Sequence, residues 1–119
     1  GNASKSKDPR IMKSLDKLDQ ISSLKDGWNG KDAKIFSSVL IEKVKSLVAI
    51  SPEKPEIFPT ADGNIQLEFS RSDGSYLEIS IGLTSTCEIY ETDKSGKEKI
   101  TSLSENVLAD VIADFLRSK

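Results

Sequence analysis

Two different periods of apolar residues divide the chain. Ile11, Leu15, Leu18, Ile21 and Leu24 recur at spacings of four and three, which is the spacing of one helical face. Asp8-Pro9 precedes them as an N-cap and a proline at the first helical position. Gly27 stands where a left-handed glycine would end the helix, which predicts an amphipathic segment of about 16 residues. Val39, Leu40, Val44, Leu47 and Val48 form a second stripe, with Ser37 or Ser38 as its cap, Phe36 stapling its entry and Pro52 stopping it. Two such helices around a glycine-bearing connection predict an αα-hairpin.

The period then changes to two. Pro55 to Pro59 reads as a short extended segment, and Ala61-Asp62-Gly63-Asn64 carries turn chemistry. Ile65 to Phe69, Tyr76 to Ile81 and Cys87 to Tyr90 alternate apolar and polar, and Lys97 to Thr101 supplies a partner across Asp93-Lys94-Ser95-Gly96. Ser102-x-x-Glu105 is a capping box in front of Val107, Leu108, Val111, Ile112, Phe115 and Leu116. The expected fold is therefore α+β. Two N-terminal helices form the αα-hairpin, an antiparallel meander of four to five strands follows, and a C-terminal helix completes one helical layer on one sheet face. Residues 1–8 are polar and rich in Lys and Ser, which predicts a mobile arm before a single domain over 9–119.

Register sharpens this expectation. Strands 65–70 and 76–81 must turn their apolar side chains to the same face, because a slip of one residue would flip a whole set. A two-residue Asp73-Gly74 loop would put Phe69 opposite Glu78 and break that rule. A three-residue loop, Ser72-Asp73-Gly74, pairs Phe69 with Leu77, Leu67 with Ile79 and Ile65 with Ile81, with Gly74 left-handed. The same register sets Glu68 opposite Glu78 and Ser70 beside Tyr76 on the other face, which Glu88 and Tyr90 extend. One face is apolar and covered; the other shows glutamates and tyrosines.

Composition removes several classes of chemistry. The chain has 119 residues, 17 basic and 19 acidic, and a net charge of -2 with the signs interspersed. Nothing in that balance draws nucleic acid or an anionic membrane surface, and no apolar run approaches the roughly 18–20 residues of a membrane span. Histidine is absent and Cys87 is the only cysteine, so no disulfide within the chain, no cysteine-based zinc site and no Ser-His or Cys-His nucleophile can form. No cofactor and no metal are expected. Asn2-Ala3-Ser4 matches a glycosylation acceptor that chance readily produces. Localisation defaults to the cytoplasm, although the Gly1 start leaves a removed leader open.

The best catalytic-looking feature is the opposed pair Glu68 and Glu78. Two carboxylates about 5 Å apart at Cβ suit a shared proton or a hard cation. A hydrolytic or metal site would also need a third ligand, a nucleophile or a pocket. Like charges directly opposed destabilise a sheet, so a cationic neighbour is wanted: Arg71, a lysine on a flanking strand, or a partner protein. Tyrosines add the low-entropy contact area enriched in interfaces. The carboxylates would repel the phosphates of single-stranded nucleic acid despite those aromatic platforms. Other motifs carry less. S-x-x-K recurs at chance frequency, at Ser4, Ser14, Ser22 and Ser51. An EF-hand starting at Asp26 would have Trp28 and Gly30 where oxygen ligands belong. Lys94, Lys97 and Lys99 crowd one hairpin tip, but Glu91 and Glu98 flank them, which reads as a solvated hairpin.

Three ordered motifs carry a resemblance. Gly27-Trp28-Asn29-Gly30-Lys31-Asp32-Ala33, then Pro59-Thr60-Ala61-Asp62-Gly63, then Leu67-Glu68-Phe69 resemble a family of small bacterial proteins of unknown function with a G-W-D-G-x-G-A, P-T-x-D-G and L-E-W pattern. The match covers about half of the chain, from Leu24 to about Ile81. Asn29 replaces the family aspartate, Asp32 a glycine and Phe69 the tryptophan. An amide cannot act as a base at neutral pH, so Asn29 puts any chemical role of that aspartate in doubt. The resemblance implies the architecture and no activity.

The expectation is therefore a non-enzymatic protein-interaction module (an adaptor, or a chaperone-like, antitoxin-like or immunity-like protein). Its surface would be the face carrying Glu68, Tyr76, Glu78, Glu88 and Tyr90, and its partner an unknown protein with a basic surface. The alternative is a small hydrolase or metal-binding enzyme built on Glu68 and Glu78. Gly27, Trp28 and Gly30 are assigned a structural role, with the indole dropping into the seam between the two helices.

Overall fold

The computed structural model describes residues 9–31 and 33–117; the arm assigned to residues 1–8 and the Asp8 cap lie outside them. Three α-helices, α1 (Pro9–Ser22), α2 (Ser38–Ile50) and α3 (Leu108–Arg117), accompany five strands. These are β1 (Glu56–Pro59), β2 (Ile65–Ser70), β3 (Tyr76–Ile81), β4 (Thr86–Thr92) and β5 (Glu98–Ser104). The strands form one antiparallel meander in the order β1-β2-β3-β4-β5. Among the described residues no helix is long and apolar enough to cross a membrane.

The β2–β3 register is the one the apolar pattern requires: Phe69 faces Leu77, Leu67 faces Ile79 and Ile65 faces Ile81. Arg71 N donates to Ser75 O at 3.0 Å and Gly74 N to Arg71 O at 3.0 Å, closing a three-residue loop with Gly74 at φ 92°. A Cβ at that left-handed φ would strain the turn. Asp73 Oδ1 accepts from Ser75 N at 2.9 Å and from the Ser75 hydroxyl. Those two donors hold its carboxyl below the usual aspartate range.

One core results. Leu67, Leu77, Ile79, Ile81 and Ile89 on the inner sheet face are buried together with Leu18 and Ile21 of α1, Leu40, Val44 and Val48 of α2, and Leu108 and Ile112 of α3. Ser37 caps α2 by accepting from Val39 N at 3.1 Å. At the other end of α2 the Ser51 hydroxyl donates to Leu47 O at 2.9 Å, and Lys54 Nζ donates to Val48 O at 2.7 Å and Ser51 O at 2.6 Å. One of the four S-x-x-K matches is thus a helix C-cap, where a cation meets the orphan carbonyls. Lys43 ties α2 to the rest by donating to Gly82 O at 3.1 Å and to Glu105 Oε2 at 2.6 Å.

Several local expectations are corrected. Helix α1 ends at Ser22, so Gly27 is not its terminating glycine; it lies in the following turn at φ 74°, donating to Ala33 O at 2.7 Å. Val39 does not belong to the buried stripe of α2. It is 66% exposed, and Ile41 is buried instead. Strand β5 runs on through Ser104, and Ser104, not Ser102, caps the short 3-10 turn Glu105–Val107 that leads into α3.

The α1–α2 connection is organised by Trp28 and Asn29. The indole is half-buried against the core, its ring centre 6.0 Å from that of Phe36, and Nε1 donates to Lys34 O at 2.9 Å. Asn29 Oδ1 accepts from Lys31 N at 2.9 Å and Ala33 N at 3.2 Å. Gly30 turns the chain at φ 82°.

Two substitutions test this frame by chemical denaturation. Leu67→Ala opens a cavity in the sheet's centre and is expected to lower stability by about 2–5 kcal/mol. Trp28→Ala is expected to cost about 2–4 kcal/mol, whereas Trp28→Phe keeps the ring but loses the bond to Lys34 O and costs about 1 kcal/mol.

Candidate functional site

The outer sheet face follows from the parity of the strands. Every residue whose neighbour enters the core points to the other side, and none of those residues is buried. The strand pairings set them in rows across the sheet. Glu56, Glu68, Glu78, Tyr90 and Ile100 form one row, each directly opposite the next. Ser70, Tyr76, Thr92 and Glu98 form the row on one side of it, and Phe58, Gln66, Ser80, Glu88 and Ser102 the row on the other.

Four of the five expected residues, Glu68, Tyr76, Glu78 and Tyr90, thus form one contiguous group in two adjacent rows. Glu88 lies on the same face but in the third row, exposed and flanked by Ser80 and Ser102. Two further carboxylates belong to the group. Glu56 arrives because β1 pairs with β2 in register, and Glu98 because β5 pairs with β4. Sequence parity contained the signal for both, since Glu56 precedes the inward Ile57 and Glu98 shares the parity of Ile100. What was missing was the register of the outer strands.

Each central carboxylate is met by a neutral donor from its own strand. Gln66 Nε2 donates to Glu68 Oε2 at 2.6 Å, and the Tyr76 hydroxyl donates to Glu78 Oε1 at 2.7 Å. The Tyr90 hydroxyl donates to Glu98 Oε2 at 2.5 Å. The two tyrosine rings meet edge to face with centres 6.1 Å apart, a favoured aromatic geometry. These donors satisfy lone pairs without cancelling charge. No lysine or arginine occupies any strand position of this face. Arg71, the cation expected to relieve the pair, points the other way: it lies 5.8 Å from the Phe115 ring centre and 3.6 Å from Asp73.

The row Glu56-Glu68-Glu78 spans two strand spacings, about 10 Å at the backbone, and Glu68 and Glu78 turn their carboxylates to Gln66 and Tyr76 of their own strands. Among the described residues no group of three or more His, Cys, Asp or Glu side chains is placed to hold a metal ion. The concavities of the molecule lie elsewhere or at the rim. One of about 640 Å³ runs between α3 and the β4–β5 hairpin, lined by Arg71, Lys99, Val111 and Phe115. Another of about 1070 Å³ lies between α1 and β1, lined by Met12, Gln20, Glu56 and Phe58. A small third one of about 140 Å³ reaches Glu56 and Glu68 but not Glu78.

No family model matches the chain, and no curated protein or solved structure matches it significantly.

Burial, and then the hydrogen bond to Glu78, push the Tyr76 hydroxyl well above the ordinary tyrosine value; the bond to Glu98 raises Tyr90 as well. A raised pKa means that the folded state holds these protons more tightly than the unfolded one. Their contribution is fully present below pH 10, where a free tyrosine begins to ionise, and is lost as the pH rises toward the folded values. Ultraviolet titration is expected to show less phenolate in the folded protein at pH 10 than in denaturant, with Tyr76 the more strongly held of the two. Glu78→Ala should bring Tyr76 part of the way back.

Proposed function

We propose that the protein is a non-enzymatic interaction module that binds a partner protein through the outer sheet face. The observation that carries this reading is the charge segregation of the fold. The strand positions of one uncovered face hold Glu56, Glu68, Glu78, Glu88 and Glu98 with no cation, in a chain whose 17 basic and 19 acidic residues nearly balance. Opposed carboxylates cost stability when the surface meets only water. A partner bearing lysine or arginine relieves that cost on contact and is steered to the surface by the field.

The tyrosines supply the uncharged part of the contact. Tyr76 and Tyr90 are half-buried and fixed by ring contact and hydrogen bonds, so little side-chain entropy remains to be lost on binding. Phe58 and Ile100, 38% and 74% exposed, mark opposite ends of the face. An adaptor, chaperone-like, antitoxin-like or immunity-like role uses such a surface in the same way. The alternative, a small hydrolase or metal-binding enzyme on Glu68 and Glu78, requires divalent-cation binding or turnover that the double variant below would abolish.

The test is reversal of the central charges. The wild-type chain, Glu68→Lys/Glu78→Lys and a control reversal on the exposed helical carboxylates, Asp16→Lys/Glu42→Lys, are used as bait. A direct partner is expected to bind the wild type and the control with similar affinity, to bind the face variant at least roughly tenfold more weakly, and to bind less tightly as salt rises. A partner whose binding is unchanged in the face variant rejects this face as the interface.

A further inference from the structure

The two edges of the sheet are built differently. Strand β1 is four residues long, ends in Pro59 and has α1 beside it. Strand β5 is seven residues long and contains no proline or glycine, and its pairing to β4 runs from Glu98 to Ser104 without a bulge. Pro, bulges, short length and charged side chains are the usual ways to blunt an edge. Strand β5 has only the last, Lys99, which faces Glu91 on β4, and every residue in it is exposed or half-exposed.

Hydrogen-bond phase shows which of its backbone groups are open. Asp93 N donates to Lys97 O at 3.0 Å and Glu105 N to Ser85 O at 2.7 Å. In an antiparallel ladder, bonded pairs alternate with non-bonded ones, so Lys99, Thr101 and Leu103 bond to β4. Glu98, Ile100, Ser102 and Ser104 direct their N–H and C=O groups away from it.

We infer that β5 is the dimerisation edge of this protein and that its occupant is β5 of a second copy, antiparallel and centred on Thr101. This inference rests on strand β5 alone and not on the reading of the acidic face. With Thr101 opposite its own equivalent, Ile100 faces Ser102, Lys99 faces Leu103 and Glu98 faces Ser104. The outward-directed residues then meet one another along the whole strand. A shift by one residue puts an outward-bonding residue opposite an inward-bonding one, and a shift by two leaves part of the strand unpaired. Its two charged residues, Glu98 and Lys99, face Ser104 and Leu103 across the two-fold axis. No like charges are opposed in this register, and Lys99 already faces Glu91 on β4. Ile100, 74% exposed, comes diagonal to its own equivalent, a distance at which long side chains still touch.

Sedimentation of the full chain across a concentration series reads the association. The wild type is expected to dimerise reversibly. Ser102→Pro removes an N–H that β4 does not use, and Ile100→Lys sets two cations diagonal across the two-fold axis. Each is expected to weaken the dimer at least roughly tenfold while leaving the unfolding midpoint of the dilute monomer unchanged. Thr101→Cys reads the register. Residue 101 meets its equivalent in a non-bonded pair, where Cα atoms are about 4.5 Å apart, within disulfide reach. Mild oxidation should therefore cross-link Thr101→Cys and leave a Lys13→Cys control monomeric. If Ser102→Pro fails to fold, Ile100→Lys and the cross-link decide. A wild type that stays monomeric at every concentration overturns the inference, as does a dimer unaffected by Ile100→Lys and not cross-linked through residue 101.

Discussion

The constraint on which the rest of the structure depends is the parity of the β2–β3 hairpin. A three-residue loop closed between Arg71 and Ser75 puts Phe69, Leu67 and Ile65 on the same side as Leu77, Ile79 and Ile81. A loop shorter by one residue would place apolar side chains opposite glutamates, and neither face could be covered by helices. Once that choice is made, β1 and β4 join with their own apolar residues inward. All three helices are drawn to one side by the apolar area they can bury there. The carboxylates do not assemble through any attraction for one another. They are brought into rows because the residues between them belong to the core.

This origin explains why the outer face is costly and yet tolerated. Opposed carboxylates cost some tenths of a kcal/mol, whereas removing one buried leucine costs several-fold more, so core register wins. The neutral donors Gln66, Tyr76 and Tyr90 then satisfy lone pairs on Glu68, Glu78 and Glu98. Pairing at β5 would place two such faces side by side on one ten-stranded sheet. Because antiparallel edge pairing relates the copies by an axis perpendicular to the sheet, both acidic faces would point the same way. Two weak contacts to one basic partner would then reinforce each other.

Much of this was legible in the sequence because it depends on local periodicity. The β2–β3 register and its loop follow from alternation plus a single glycine, and the helices of the hairpin from their stripes. The departures have local causes too. Val39 and Ile41, two residues apart, lie on nearly opposite sides of α2, so which one turns inward depends on where α1 and the sheet sit. Gly27 suited a helix end, yet α1 stops at Ser22 and the glycine serves a turn bonded to Ala33. Ser102 and Ser104 are both competent caps, and the continued pairing of β5 with β4 gives the role to Ser104. In the site, Glu68 facing Glu78 was readable from one hairpin. Glu56 and Glu98 required the register of strands joined by less distinctive connections, and the orientation of Arg71 depends on Phe115, a residue far away in the chain.

The only tryptophan of the chain sits in the α1–α2 connection, half-buried beside Phe36 and bonded to Lys34 O, whereas both tyrosines are on the outer sheet face. The molecule therefore carries two optical reporters in separate places. Indole emission follows the helical hairpin and its solvation, while tyrosine absorbance follows the sheet face. Opening of the hairpin should register in the first signal, and occupation of the face in the second.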